Sequence, residues 1–281
     1  MNITSISSVM SLIRLALEED AGNGDVTTVS TIPETAVAQG RYIAKQDGVL
    51  CGMPVVQAVF HEIDSEINLE CNFSEGQRFS VGDVLATVSG NARSLLTGER
   101  VGLNLLQHMT GIATATADAV AKVSGYKARI TDTRKTMPGL RYLEKLAVRC
   151  GGGTNHRYNL SDGVLIKDNH IAAAGSISAA VNAARRNIPH TLKIEVEVEN
   201  FEMLNEALEV GADIIMLDNM SYDDMKKAVD LISGRAVVEA SGNMGERDLE
   251  RVAACGVDII SIGALTHSVK AADISLKFKL V

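Results

Sequence analysis

"TLKIEVEVENFEMLNEALEVGADIIMLDN", residues 191 to 219, holds two short runs of aliphatic residues separated by helix-like sequence. In the first run carboxylates alternate with valines, which sets Glu195, Glu197 and Glu199 on one strand face and Val196 and Val198 on the other. The second run, "ADIIMLDN", is apolar through "IIML" and ends in Asp218. The same theme recurs in "ARITDT" from residue 128, "GVLIKDN" from 163, "AVVEASGN" from 236 and "VDIISIGAL" from 257. Apolar strands alternating with amphipathic helices predict parallel βα units, and six such runs predict an α/β barrel, complete or incomplete. In a barrel the active site lies where the strands end. The polar tails in that place are Asp132, Thr133, Arg134 and Lys135, then Lys167, Glu195 and Glu197, Asp218, Ser241 and Gly242, and Gly263.

Residues 1 to about 111 read differently. Ile6, Met10, Ile13 and Leu17 recur at helical spacing with Arg14 between them, an amphipathic helix rather than a signal peptide. Short strands with the turn signals "QDG", "SEG" and "VGD" follow, and then a long helix-like run. Together they predict a separate α+β domain. The closing "ISLKFKLV" alternates like an edge strand and is expected to return to the first domain's sheet. The chain is accordingly divided at 1–111, 112–269 and 270–281.

Composition narrows the function. Net charge is −8, aromatics make up 4% and Trp is absent, which argues against a nucleic-acid surface and for a local anion pocket. Four scattered cysteines with no CxxC pair give neither a zinc signature nor a disulfide framework, and point to a reducing cytoplasm. No run is long and apolar enough to span a bilayer, so no membrane partner is expected.

Against that acidic background, cations crowd into residues 131 to 157. Arg141, Lys145 and Arg149 fall at four-residue spacing and read as the solvated face of an amphipathic helix. Arg134 and Lys135 are adjacent at a strand end, where two cations repel unless an anion joins them. "GGGTNHR" offers either a flexible turn or glycines that bring backbone N–H donors to a ligand, with His156 as a polar donor beside Arg157. Lys167 ends a buried run. Asp218 and at least one of the glutamates Glu195, Glu197 and Glu199, on neighbouring strand ends facing cations, suit Mg²⁺ and ribose hydroxyls, and "EASGNM" and "SIGALTHS" suit phosphate.

"DTRKTMPGLR", "GGGTNHR", "LIKDNHI", "EVEVEN", "GADIIMLDN", "EASGN" and "GALTHS" stand in the order expected of the quinolinate phosphoribosyltransferases. "EEDAGNGDVTT", "GVLCG" and "LLTGERVGLNLLQHMTGIATAT" agree, so the chain resembles that family over nearly its whole length. The resemblance implies an α/β fold, an N-terminal α/β sandwich plus a C-terminal open barrel, assembled as a homodimer. It implies transfer of phosphoribose from phosphoribosyl pyrophosphate to quinolinate with loss of CO₂, giving nicotinate mononucleotide for NAD synthesis, with Mg²⁺ and no organic cofactor.

By motif, Arg134, His156, Arg157 and Lys167 would grip the quinolinate carboxylates with Thr133 nearby, and Arg100 would reach the pocket from the partner subunit. Lys135, Glu197, Asp218, Ser241, Gly242, Gly263 and His267 would hold phosphoribosyl pyrophosphate, Glu197 and Asp218 taking its Mg²⁺ and, with Lys135 and Lys167, serving catalysis. Asn159 stands where the family often has glycine and is expected to tolerate a left-handed turn; Gly102 replaces the usual alanine. Three rivals stay open: a relative that accepts nicotinate, an aldolase-type barrel with a Schiff base at Lys167, and a catalytically silent binding module.

Overall fold

The structure, a computed structural model, describes residues 3–280 and divides into two compact units. The first takes the chain up to Ala117, Met137–Gly152, and the chain from Val269 on. It opens with α1 (Ser7–Ala21), whose Val9 and Ile13 are buried as the helical spacing requires. Next is α2 (Val26–Thr31), capped by Asp25, whose carboxylate accepts from Thr28 N at 2.9 Å. The unit continues through β1 (Val37–Ala44), β2 (Gly48–Val49), α3 (Met53–Ile63), β3 (Asn68–Cys71), β4 (Arg78–Phe79) and β5 (Val84–Asn91) into α4 (Ala92–Lys122). A later helix, α5 (Arg141–Cys150), belongs here too.

Strand β1 buries Ala38, Tyr42 and Ala44 and exposes Val37, Gln39 and Arg41. This period-two alternation gives an antiparallel sheet one apolar face. That face packs on Val56 and Phe60 of α3 and on Leu95, Leu103 and Leu106 of α4. Each such large side chain contributes about 1.5–3 kcal/mol by leaving water. At the start of α3, Gly52 has φ 122°, and the Glu75 carboxylate accepts from Gly52 N at 2.8 Å and Met53 N at 3.0 Å. An acidic acceptor there satisfies two of the helix's orphan donors.

The second unit takes Asp118–Thr136 and Gly153–Ser268. Its strands are β6 (Arg129–Thr131), β7 (Val164–Ile166), β8 (Ile194–Val198), β9 (Ile214–Asp218), β10 (Val237–Ser241) and β11 (Ile259–Ser261). Helices α6 (Asp168–Ala174), α7 (Ile177–Asn187), α8 (Phe201–Glu209), α9 (Tyr222–Ile232), α10 (Leu249–Ala254) and α11 (Ala264–His267) connect or follow them. All pairings are parallel, in the order β6-β11-β10-β9-β8-β7. Strands β6 and β7, successive in the chain, therefore form the two edges of a sheet that curves into an open barrel. One isolated parallel bridge, Thr131 to Thr154, lets the segment after α5 pair with β6 at that seam. Thr154 N donates to Ile130 O at 2.8 Å, and Thr131 Oγ1 donates to Thr154 O at 3.0 Å.

Val196, Val198, Ile215, Leu217 and Val238 pack with Leu204, Ala207, Met225 and Ala228 of the surrounding helices in the second unit's core. With the valines committed to the helices, Glu195 and Glu197 turn to the barrel interior, while Glu199 is exposed past the strand end. The last strand, β12 (Ile274–Leu280), pairs antiparallel with β1 from Ala44–Ile274 to Ala38–Leu280. Among the described residues no helix is long and apolar enough to cross a membrane.

The first compact unit runs on to Ala117, inside the continuous α4 and past the expected boundary at 111, and it also takes residues 137–152, which the sequence assigned to the barrel. One expectation needs correction. The supposed solvated face of α5 is only partly solvated: Arg149 is exposed, but Lys145 is buried beside a fully buried Glu144. Glu144 accepts from Met137 N at 3.2 Å and lies 2.9 Å from His108 Nε2.

Candidate active site

All six parallel strands end on one cavity of about 850 Å³. The turn after β6 brings Thr133, Arg134 and Lys135; it is held by Thr133 Oγ1, which accepts from Lys135 N at 3.0 Å, and by Thr266 Oγ1, which donates to Lys135 O at 2.8 Å. The segment at the seam brings His156 and Arg157, and β7 delivers Lys167. Glu197 and Asp218 come from β8 and β9. Strand β10 supplies Ser241 and Gly242, and Gly263 and His267 follow β11. Every residue given a substrate, metal or catalytic role lines this cavity except Arg100, which is exposed on α4 in the first unit; of the other strand-end residues, Asp132 and Glu195 are buried and do not line it.

Cations dominate one part of the lining. Burial first, and then the charge of Arg134, hold Arg157 below the usual guanidinium range. Two like charges this close in a partly buried place favour an anion between them. The Arg157 guanidinium also donates to Gly163 O at 3.0 Å. Lys167 pairs through Nζ with Glu197 Oε2. Asp218 accepts from Asn219 Nδ2 at 2.7 Å, and Asn219 sits in the left-handed region at φ 55°.

Two glycines serve the site by different means. Gly242 has φ 91°, and a Cβ there would lie 2.6 Å from Asn219 N. Gly263 has an ordinary backbone, but a Cβ would meet Lys135 Cδ at 3.0 Å and His267 Cδ2 at 3.2 Å. The glycine run before His156 does something else. Gly151 caps α5 and leaves no room for a side chain against Ala113 and Thr116, and Gly152 has φ 86°. Neither lines the cavity, so the expectation that they present N–H donors to a ligand is corrected: they end a helix. Asn159 is corrected likewise. It is not among the positive-φ residues; its Oδ1 accepts from Ser161 N at 2.7 Å in a local turn.

At the cavity wall His156 meets two carboxylates, Glu195, which the sequence placed at a strand end, and Glu239, which the sequence reading passed over. Glu195 and Glu239 are 4% and 2% exposed, and both approach His156: Nε2 lies 3.2 Å from Glu195 Oε2 and 3.7 Å from Glu239 Oε1. The other ring nitrogen, Nδ1, accepts from Arg157 N at 2.8 Å. Burial, reinforced by the Glu195 charge, pushes the Glu239 carboxyl up to about 7. Asp132, fully buried, accepts from His156 N at 2.8 Å and Asn155 Nδ2 at 2.6 Å. The available signal was a carboxylate inside the apolar run "AVVEAS", since glutamate is seldom fully buried unless paired.

Family models divide the chain at residue 111, the boundary expected from the sequence. "Quinolinate phosphoribosyl transferase, N-terminal domain" matches residues 25–110 and "Quinolinate phosphoribosyl transferase, C-terminal domain" matches residues 112–277. The chain belongs to the quinolinate phosphoribosyltransferase family. It is 44% identical over 262 residues to a probable nicotinate-nucleotide pyrophosphorylase (carboxylating) of Bacillus subtilis, covering 93% of this chain and 90% of that one. Quinolinate phosphoribosyltransferase (decarboxylating) 1b of Nicotiana tabacum is 43% identical over 285 residues, covering 95% and 81%. The crystal structure of NadC from Streptococcus pyogenes superposes with a TM-score of 0.93 at 43% identity, covering 97% of each chain. The family's N-terminal sandwich and open C-terminal barrel are the two units described above.

Proposed function

We propose that this chain transfers the phosphoribosyl group of phosphoribosyl pyrophosphate to quinolinate, releasing pyrophosphate and CO₂ and giving nicotinate mononucleotide for NAD synthesis. The observation that carries the reading is the convergence of Arg134, Arg157, Lys135 and Lys167 on one cavity with Glu197 and Asp218. Two polyanions repel, and the repulsion grows in a low-dielectric pocket. Cations lining the pocket offset it, and a guanidinium meets a carboxylate bidentately.

In the first step the pyridine nitrogen bonds to the anomeric carbon as the bond to pyrophosphate breaks. Arg134, Arg157 and Lys167, with Thr133 beside them, hold the quinolinate carboxylates in line. Lys135, Ser241, Gly242, Gly263 and His267 hold the phosphates. Glu197 and Asp218 orient the ribose and favour the positive charge that grows on it. The quaternary ring then accepts the electron pair left when the adjacent carboxylate departs as CO₂, and that carbon takes up a proton. No organic cofactor is required.

Glu197 and Asp218 are hard oxygen donors on neighbouring strands, a donor set that fits Mg²⁺ arriving with substrate phosphates. Bound there, the ion would neutralise charge on the leaving pyrophosphate. We further propose a homodimer in which Arg100, exposed on α4, completes the partner's pocket. The four free cysteines fit a cytoplasmic setting.

The test mixes purified protein with quinolinate, phosphoribosyl pyrophosphate and Mg²⁺ and follows CO₂ and the mononucleotide. Equal yields of both, with no product from nicotinate, are expected. Product from nicotinate without CO₂, or none from quinolinate, overturns the assignment.

A further inference from the structure

The hydrogen bonds at His156 constrain what its ring can do. A backbone N–H only donates, so Nδ1, which accepts from Arg157 N at 2.8 Å, carries a lone pair and not a proton. The ring proton therefore sits on Nε2, which faces Glu195 at 3.2 Å and Glu239 at 3.7 Å. Both ring nitrogens thus point at protein groups. An imidazole so engaged has no N–H to offer an incoming carboxylate without breaking one of these contacts.

The cost of the arrangement argues that it serves the reaction. Two carboxyl groups are buried almost completely, and Oε1 of each lacks a hydrogen-bond partner among the described residues. Such burial destabilises a fold unless something offsets it. The carboxyls come from different strands, β8 and β10, and converge on one ring. Asp132 fixes the same segment from β6's end, through His156 N and Asn155 Nδ2. Arg157 is then held at both ends, its main chain by the ring and its guanidinium by Gly163 O at 3.0 Å.

We propose that His156 is a positioning residue rather than a substrate ligand: braced by Glu195 and Glu239, its ring fixes the main chain at Arg157 so that this guanidinium faces the quinolinate carboxylate. The inference rests on the reaction proposed above. It assigns Glu195 and Glu239 a task, that of orienting the ring, which acts on quinolinate only through Arg157. Burial raises the Glu239 carboxyl, and Glu195, at the shorter distance, is the nearer acceptor for the single Nε2 proton.

Two measurements test this. Nitrogen-15 spectra of the imidazoles in the native protein, assigned with a His156→Asn control, read the tautomer directly and need no turnover. A neutral ring protonated at Nε2 is expected; a ring protonated at Nδ1, or a cation at neutral pH, overturns the proposal. Steady-state kinetics supply the second readout. His156→Asn keeps an acceptor near the Nδ1 position and His156→Leu keeps none. We expect His156→Leu to raise the quinolinate KM about a hundredfold and His156→Asn far less, with the phosphoribosyl pyrophosphate KM nearly unchanged in both. Glu195→Gln and Glu239→Gln should raise the quinolinate KM about tenfold with the same selectivity. Equal damage in the two His156 variants, with melting temperatures intact, marks His156 as a direct ligand and defeats the proposal. A native protein that turned over no quinolinate would sink the reaction assignment alone, because the tautomer would still be read.

Discussion

Lys167 Nζ meets Glu197 Oε2 across the neighbouring strands β7 and β8, the lysine side chain 43% exposed and the glutamate side chain 12%. A cation expected to receive a substrate carboxylate is thus already neutralised by a group expected to face the ribose. Glu197→Gln should tighten quinolinate binding in the absence of the second substrate by about fivefold, the worth of a partly exposed pair. The same change should lower turnover about a hundredfold or more. Calorimetric titration and product assay read the two effects, and weaker binary binding would show that the pair does not compete with substrate.

Gly242 and Asn219 interlock. A methyl at position 242 would overlap Asn219, whose Nδ2 donates to Asp218 at 2.7 Å, and φ 91° is itself unfavourable for alanine. Gly242→Ala should cost about 1–3 kcal/mol of stability and displace Asp218. The phosphoribosyl pyrophosphate KM should rise while that of quinolinate changes little.

Gly102 lies within α4, and a Cβ there meets Val56 Cγ1 at 3.7 Å and the Tyr42 hydroxyl at 3.8 Å, ordinary contact distances. Alanine has room and removes a glycine from a helix interior. Gly102→Ala should stabilise the protein by about 1 kcal/mol in urea unfolding. A loss of stability would mean that Tyr42, whose hydroxyl lacks a hydrogen-bond partner among the described residues, cannot accept the methyl.

Glu239 titrates at about 7 in the folded chain against an ordinary 4.5. Its folded-state pKa is raised, so the folded state holds the proton more tightly than the unfolded one. The stability this contributes is complete below about 4.5 and is lost as pH rises through about 7. Unfolding free energies at pH 5 and pH 8 should differ by less in Glu239→Gln than in the native chain, by an amount on the order of 2–3 kcal/mol. An unchanged difference would mean that another group sets the slope.

Arg100→Ala and Lys135→Ala, each inactive alone, should regain activity when mixed, because a mixed dimer contains one intact site. About a quarter of native turnover is the ceiling for random exchange between the two variants. No recovery after proven subunit exchange would count against a shared site.

Much of this was readable in the chain. The apolar runs before Asp218 and Lys167 located two strand ends, because a parallel strand buried on both faces needs continuous Ile, Val and Leu. The alternation in "EVEVEN" turned its glutamates inward, because a period of two leaves no choice of face once the valines meet the helices, and the family resemblance singled out Glu197. The fate of Lys145 was not readable: helical spacing gives a face but not what lies against it, and Glu144 and its contacts to His108 and Met137 arise only in the tertiary structure. The glycines at 151 and 152 misled for a related reason, since closeness to a helix and closeness to a ligand call for the same residue. His156 was found by its neighbours in sequence, but its contacts with Glu195 and Glu239 join residues 39 and 83 positions away, beyond any local pattern.

The Thr131–Thr154 bridge closes only a small part of the gap between β6 and β7. The peptide that plugs this gap also carries His156 and Arg157, so the barrel's weakest joint and its substrate grip are the same few residues. Warming should therefore inactivate the protein before it melts: amides near Thr154 would exchange with deuterium, and turnover would fade, while the helical circular dichroism still reads as native.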